Sequence, residues 1–201
     1  MRSTTASICG AIVSLTLVLG LNKACAADAT ANVLAHCQSC HGQRGESTSQ
    51  SVPRLNGQQA DYMKKRLRSF LDPGSQDPHA TDAMWSIVRS VDDATLAEIA
   101  VYFAKQSPSP PDRRGPLAAA GARLYENGDR MAYIPACQAC HGPQGQGRGT
   151  APRLAGQHAA YLTSQLERLR LGLRADNVMH ANTNGMSDGQ IKALVAYLAN
   201  D

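Results

Sequence analysis

An all-α fold built from two tandem, homologous domains is what this sequence predicts, and three observations carry the prediction. An internal repeat spans nearly the whole chain, apolar residues recur at helical spacing, and no segment alternates as a half-buried strand does.

The repeat begins with Cys37-Gln38-Ser39-Cys40-His41, which returns as Cys137-Gln138-Ala139-Cys140-His141 at an offset of 100 residues. Val52-Pro53-Arg54-Leu55-Asn56-Gly57-Gln58 then matches Ala151-Pro152-Arg153-Leu154-Ala155-Gly156-Gln157 at an offset of 99, and Tyr62 matches Tyr161. Asp93 pairs with Asp188 and Tyr102 with Tyr197 at an offset of 95. Blocks that stay in order while the offset shrinks describe two copies of one domain, the second with small deletions.

Taken in order, the chain opens with a segment that reads as a signal peptide over residues 1–26. Arg2 precedes an apolar run from Ile8 to Leu21, and Ala24-Cys25-Ala26 places small residues where a signal peptidase cuts, so the mature chain is expected to start near Ala27. The apolar run is shorter than the roughly twenty residues a membrane-spanning helix needs. Asn22 weakens a lipoprotein reading through Cys25, because a bulky aliphatic residue is wanted there.

The first domain is expected over 27–105. Few residues separate Ala27 from Cys37, so its N-terminal helix must be short, without counterparts of Gly121 and Tyr125. Leu96, Ile99, Ala100 and Phe103 form the apolar stripe of its last helix. Residues 106–116, with Pro108, Pro110, Pro111 and Pro116, read as a semi-rigid linker, since proline fixes φ and removes a donor. The second domain follows over 117–201. Leu117 to Glu126 is helical, with Gly121 and Tyr125 on one face where a close helix crossing can use the missing side chain. Ile191, Leu194, Val195 and Leu198 form its last apolar stripe, and Ser187 with Gln190 has capping-box spacing at the start.

C-x-x-C-H is the attachment signature of c-type haem. Two thiols at this spacing can add to the two vinyl groups of one porphyrin, and the next residue then offers its imidazole to the iron. Cys37, Cys40, Cys137 and Cys140 are thus expected to hold two covalently attached haem c groups, with His41 and His141 as proximal iron ligands. A four-cysteine zinc site, thioredoxin-like redox pairs and plain disulfides compete. None accounts for a histidine after both pairs, and the βαβ setting of a thioredoxin is missing. With Cys9 and Cys25 in the leader, the motifs use every remaining cysteine.

An electron-transfer haem takes a second axial ligand, commonly a methionine thioether. The repeat selects among six methionines: Met84 lies nine residues before Asp93 and Met179 nine before Asp188, so the two are equivalent by register. Met186 aligns with apolar Val91 and Met63 with Leu162, both core positions. Met131 has no first-domain partner. His180, beside Met179, is the rival ligand, but its counterpart is Trp85. His36, His79 and His158 read as solvated or locally satisfied. The Pro53 and Pro152 carbonyls are expected to accept the Nδ1 hydrogens of His41 and His141, which fixes each tautomer. Leu55 and Leu154 would pack on the haem faces. Arg54 and Arg153 would pair with propionates, or simply be surface arginines at a proline-led turn.

The duplicated C-x-x-C-H, each followed by P-R-L-x-G-Q and a late Met before an amphipathic helix, resembles the cytochrome c4 family. Ile134-Pro135-Ala136-Cys137 and Gly156-Gln157-His158 add to the match. The resemblance covers the mature chain. It implies two cytochrome c-like domains related by an approximate twofold, with propionate edges facing each other, and electron donation to a terminal oxidase or reductase.

Charge is modest: −1 from Ala27 to Lys105 and +3 from Gln106 to Asp201. Lys64, Lys65, Arg66 and Arg68 form a basic helix face that could dock an acidic redox partner, a solvated face being the plainer account. Nothing points to nucleic acid.

The expected function is therefore a periplasmic electron carrier, not an enzyme, between partners such as a quinol-oxidising cytochrome bc complex and a terminal oxidase or reductase. Any contact with a membrane would come through those partners. The alternatives are a haem enzyme of the thiosulfate dehydrogenase or dihaem peroxidase kind, or the cytochrome subunit of a larger dehydrogenase.

Overall fold

The computed structural model describes residues 30–72 and 83–200. The expected signal peptide and His79 lie outside the described residues. Helix α1 covers 30–41. It is followed by α2 (Ala60–Ser69), α3 (Ala83–Val88), α4 (Asp93–Ala104), α5 (Gly115–Asn127), α6 (Gln138–His141), α7 (Ala159–Arg170), α8 (Asn177–Thr183) and α9 (Asp188–Leu198). Among the described residues β-structure is confined to isolated bridges, so the molecule is all-α as expected.

In the second half α9 packs on both α5 and α7. Its stripe of Ile191, Leu194, Val195 and Leu198 is buried in a core with Leu124, Tyr125, Ile134, Leu162 and Met186. The crossing of α5 on α9 depends on Gly121, where a Cβ would lie 1.9 Å from the Ala193 carbonyl oxygen. Tyr125, on the same face, is fully buried and donates its hydroxyl to the Gly142 carbonyl at 2.6 Å. The α9 capping box forms as read from sequence, with Ser187 Oγ accepting from the Gln190 amide and Gln190 Oε1 accepting from the Ser187 amide.

The first half uses the same plan with less material. Here α4 packs on α2, and its stripe divides between two apolar clusters, one with Met63, Ile99, Ala100 and Phe103 and the other with Phe70, Val88 and Leu96. Asp92 caps α4 by accepting from the Thr95 amide at 2.9 Å. Helix α1 runs straight through the first C-x-x-C-H motif, whereas in the second half α5 and α6 are separate helices. Thr30 at the start of α1 donates to Glu98, the register counterpart of Ala193.

The proline-rich stretch differs from expectation at its end. Helix α5 starts at Gly115 and takes in Pro116, because a proline in the first helical turn has a preset φ and no amide to waste. The residues before it are fastened down. Asn56 Nδ2 donates to the Ser107 carbonyl, Pro108 fills the space over Gly57, and the Asp112 amide donates to Ala199.

Candidate functional site: two motif turns joined back to back

Each motif ends in a turn that glycine permits. Gly42 and Gly142 have φ of 86° and 79°, and their amides donate to the carbonyls of Gln38 and Gln138. Three residues on, the Gly45 and Gly145 carbonyls accept the amides of Leu55 and Leu154 at 2.8 Å in both halves. At Gly45 a Cβ would come within 2.7 Å of the Asn56 nitrogen, so the close approach requires glycine. These bonds lay the Pro-Arg-Leu segment against the motif turn.

The consequence falls on the histidines. His41 Nδ1 lies 2.9 Å from the Pro53 carbonyl oxygen, and His141 Nδ1 lies 2.8 Å from that of Pro152. A carbonyl only accepts, so each Nδ1 carries the hydrogen and each Nε2 keeps its lone pair. Both rings are buried. Burial lowers both from the ordinary histidine value, against the opposing pull of the proline carbonyls.

The cysteines stand beside them in two separate places. Cys37 packs on the first-half core and Cys137 on the second-half core, while Cys40 and Cys140 are exposed. Burial pushes the Cys137 thiol up to about 11 and that of Cys37 upward as well. A neutral imidazole aimed by a proline carbonyl, next to two cysteines one helical turn apart, is the donor set that haem c requires.

Met84 and Met179 are half-buried and sit on the matching short helices α3 and α8. Trp85, Leu171, Leu173 and Val178, near them in sequence, are exposed. Met186 is buried in the second core, and Met63 and Leu162 occupy equivalent buried positions. His180 Nδ1 donates to the Leu169 carbonyl at 2.8 Å, which draws its ring toward the end of α7. His36 is exposed. His158 is fully buried and donates Nε2–H to the Ser47 carbonyl of the other half at 2.8 Å.

Leu55 and Leu154 pack on their respective cores. Both arginines are half-buried, which sets aside the surface-arginine alternative. Arg54 is no surface residue: its guanidinium reaches across to the carbonyls of Gly156 and Asn200 at 2.8 and 2.6 Å. Arg153 donates Nε–H to Ala155, and burial together with the Arg113 guanidinium lowers it from the ordinary arginine value. The basic face on α2 is also largely committed. Lys64 pairs with Asp61, Lys65 with Asp176 across the interface, and Arg68 with Asp93, while Arg66 stacks over Phe70.

What sequence reasoning left without a role is the glutamine that closes each P-R-L-x-G-Q. Gln157 Oε1 accepts the Arg54 amide at 2.8 Å and its Nε2 donates to the Arg54 carbonyl at 3.0 Å. Gln58 does the same to Arg153, at 2.6 and 2.9 Å. Both glutamines are buried, so the repeated motif is its own clasp between the halves. Two glutamines at the same position of the repeat were the available signal.

Comparison with known proteins agrees with this geometry. The cytochrome c family model matches residues 118–200. Cytochrome c4 of Azotobacter vinelandii is 33% identical over 94% of this chain and 97% of its own length. The thiosulfate dehydrogenase electron acceptor of Thiomonas intermedia is 34% identical over 82% of this chain and 78% of its own. Among solved structures, Acidithiobacillus ferrooxidans cytochrome c4 superposes with a TM-score of 0.76 at 34% identity, covering 82% of this chain and 97% of that one. With a C-x-x-C-H motif in each half and similarity along nearly its whole length, this all-α chain, a carrier of electrons through two covalently attached haem c groups and not an enzyme, belongs to the cytochrome c4 family.

Proposed function

We propose that this chain is a periplasmic carrier that moves single electrons between respiratory partners, from a quinol-oxidising cytochrome bc complex toward a terminal oxidase or reductase. The observation that carries the reading is the doubled, buried histidine with Nδ1 tied to a proline carbonyl and Nε2 left as a donor to metal. Haem c supplies a one-electron ferric/ferrous couple. Cys37 with Cys40 and Cys137 with Cys140 would hold the two groups by thioether bonds. His41 with Met84 and His141 with Met179 would be the axial pairs. Pro53 and Pro152 fix the imidazole tautomers, and Leu55 and Leu154 close the apolar surroundings. Arg153 beside Arg113 concentrates positive charge in a half-buried place, which favours an anionic propionate there.

A redox titration that records spectra of both oxidation states tests the reading. Two low-spin haems with histidine–methionine ligation are the expected result, and mass spectrometry of periplasmically matured protein should show residues 1–26 missing and two haem masses added. Zinc, intact thiols, or a single haem would refute it.

The similarity to a thiosulfate dehydrogenase electron acceptor favours a second donor, a thiosulfate-oxidising enzyme. Rapid mixing of the oxidised protein with such an enzyme and thiosulfate distinguishes the two: fast reduction supports this donor, and reduction only by a quinol-oxidising complex supports the first.

A further inference from the structure

The proline carbonyl that accepts from each motif histidine belongs to the same peptide group as the arginine amide that the opposite glutamine accepts. Pro53 C=O and Arg54 N–H are the two ends of one planar, resonance-coupled unit. His41 Nδ1–H donates into the oxygen at 2.9 Å, and the Arg54 amide donates out to Gln157 Oε1 at 2.8 Å. In the second half His141 donates into Pro152 at 2.8 Å, and the Arg153 amide donates out to Gln58 Oε1 at 2.6 Å. Each relay therefore starts at a motif histidine of one half and ends on a side chain of the other.

The orientation of each glutamine is decided by its neighbours. One arginine backbone presents both an N–H and a C=O to it, so Oε1 faces the former and Nε2 the latter. Oε1 also accepts the next amide along its own chain, from His158 in one case and Gln59 in the other. Buried and bonded through both Oε1 and Nε2, the two side chains are fixed acceptors.

We propose that Gln157 sets the reduction potential at His41 and Gln58 sets that at His141, so that each half tunes the iron ligand of the other. This rests on the two histidines being proximal iron ligands. An N–H that donates strongly shifts electron density in its peptide toward the carbonyl oxygen, and hydrogen bonds in such a chain strengthen one another. A more negative oxygen pulls harder on Nδ1–H, and the imidazole becomes a better donor to ferric iron. Stabilising the ferric state lowers the potential, so loss of the glutamine acceptor raises it. The glutamines are positioning residues that act through a peptide and never touch the ligand ring. Opening the interface would release both relays together, which makes the two potentials a report on interface closure.

The test uses the dihaem holoprotein with Gln157→Leu, Gln157→Glu and Gln58→Leu. Potentials are read by NMR-monitored redox titration, with each porphyrin assigned by its contacts to the cysteines of its own motif. Gln157→Leu should raise the potential at His41 and leave that at His141 in place, and Gln58→Leu should do the reverse. Gln157→Glu keeps the acceptor, so its His41 potential should stay at or below that of the unmodified protein. In the ferrous state the His41 Nδ1 hydrogen should exchange faster in Gln157→Leu alone. Potentials that do not move, that rise together in either leucine variant, or that rise alike in the leucine and glutamate variants would overturn the proposal. Failure of the underlying carrier reading would show separately, as unmodified protein without two histidine-ligated haems.

Discussion

Met84 and Met179 occupy the same place in two copies of the fold, while Met186 is buried among Leu124, Tyr125 and Ile134. A thioether in a core fills space, whereas Met84 is half-buried at the edge of the Phe70, Val88 and Leu96 cluster and Met179 is half-buried on α8. Met84→Ala and Met179→Ala are each expected to let carbon monoxide bind at one iron and to lower one potential. Met186→Ala should do neither, but should cost about 2–5 kcal/mol of stability through the cavity it leaves. Carbon monoxide binding by Met186→Ala alone would reassign the second ligand. His180, beside Met179, donates Nδ1–H to the Leu169 carbonyl, a contact that no pattern in the sequence announces.

At the scale of elements, the second half depends on one helix crossing. A side chain at Gly121 meets backbone, the Ala193 carbonyl, which has no rotamer with which to yield. Gly121→Val is expected to destabilise the second half by about 2–3 kcal/mol as an overpacking change, read as a lowered Tm for loss of the second-half haem environment. Ser187→Ala removes the Oγ that accepts the Gln190 amide and should cost about 1 kcal/mol. In the first half α1 packs Val33 and Leu34 on the α4 cluster, with no glycine among residues 30–41. The apolar stripe of α4 is divided between two clusters, so in a protein that is otherwise duplicated the halves are expected to unfold at different temperatures, the first half lower.

The whole molecule is held by an interface that is polar and doubled. Gln58 and Gln157 exchange places under the approximate twofold, as do Gln59, which donates to the Gln146 carbonyl, and His158, which donates to that of Ser47. Lys65 with Asp176 and Arg174 with the Tyr62 hydroxyl close the rim. Such pairing fixes the distance between the motif turns. Electron exchange within one molecule should accordingly outrun exchange between molecules, and a dilution series of rapid-mixing reductions should show the second haem reduced at a rate independent of protein concentration. A rate proportional to concentration would mean two tethered, uncoupled carriers. His158→Ala removes a fully buried donor and should weaken the interface by about 1–3 kcal/mol, seen as a wider gap between the unfolding temperatures of the two halves than in the unmodified protein.

By itself the sequence determined the helices, the duplication and the attachment chemistry, because these are written in short range. Stripes such as Ile191, Leu194, Val195 and Leu198, the Ser187–Gln190 cap and C-x-x-C-H each need fewer than a dozen neighbouring residues to have meaning. Even the bond from His41 to Pro53 was legible, since both lie on one connected turn whose glycines leave a single way to close. Which groups meet across the two halves was decided only by the tertiary structure. The sequence reads Arg54 as a propionate partner or a surface charge and says nothing of the carbonyls it binds 102 and 146 residues away, at Gly156 and Asn200. Gln58 and Gln157 carried no local signal of a partner, for a buried amide declares only that it must be satisfied, and its satisfaction depends on how two separately folded surfaces approach.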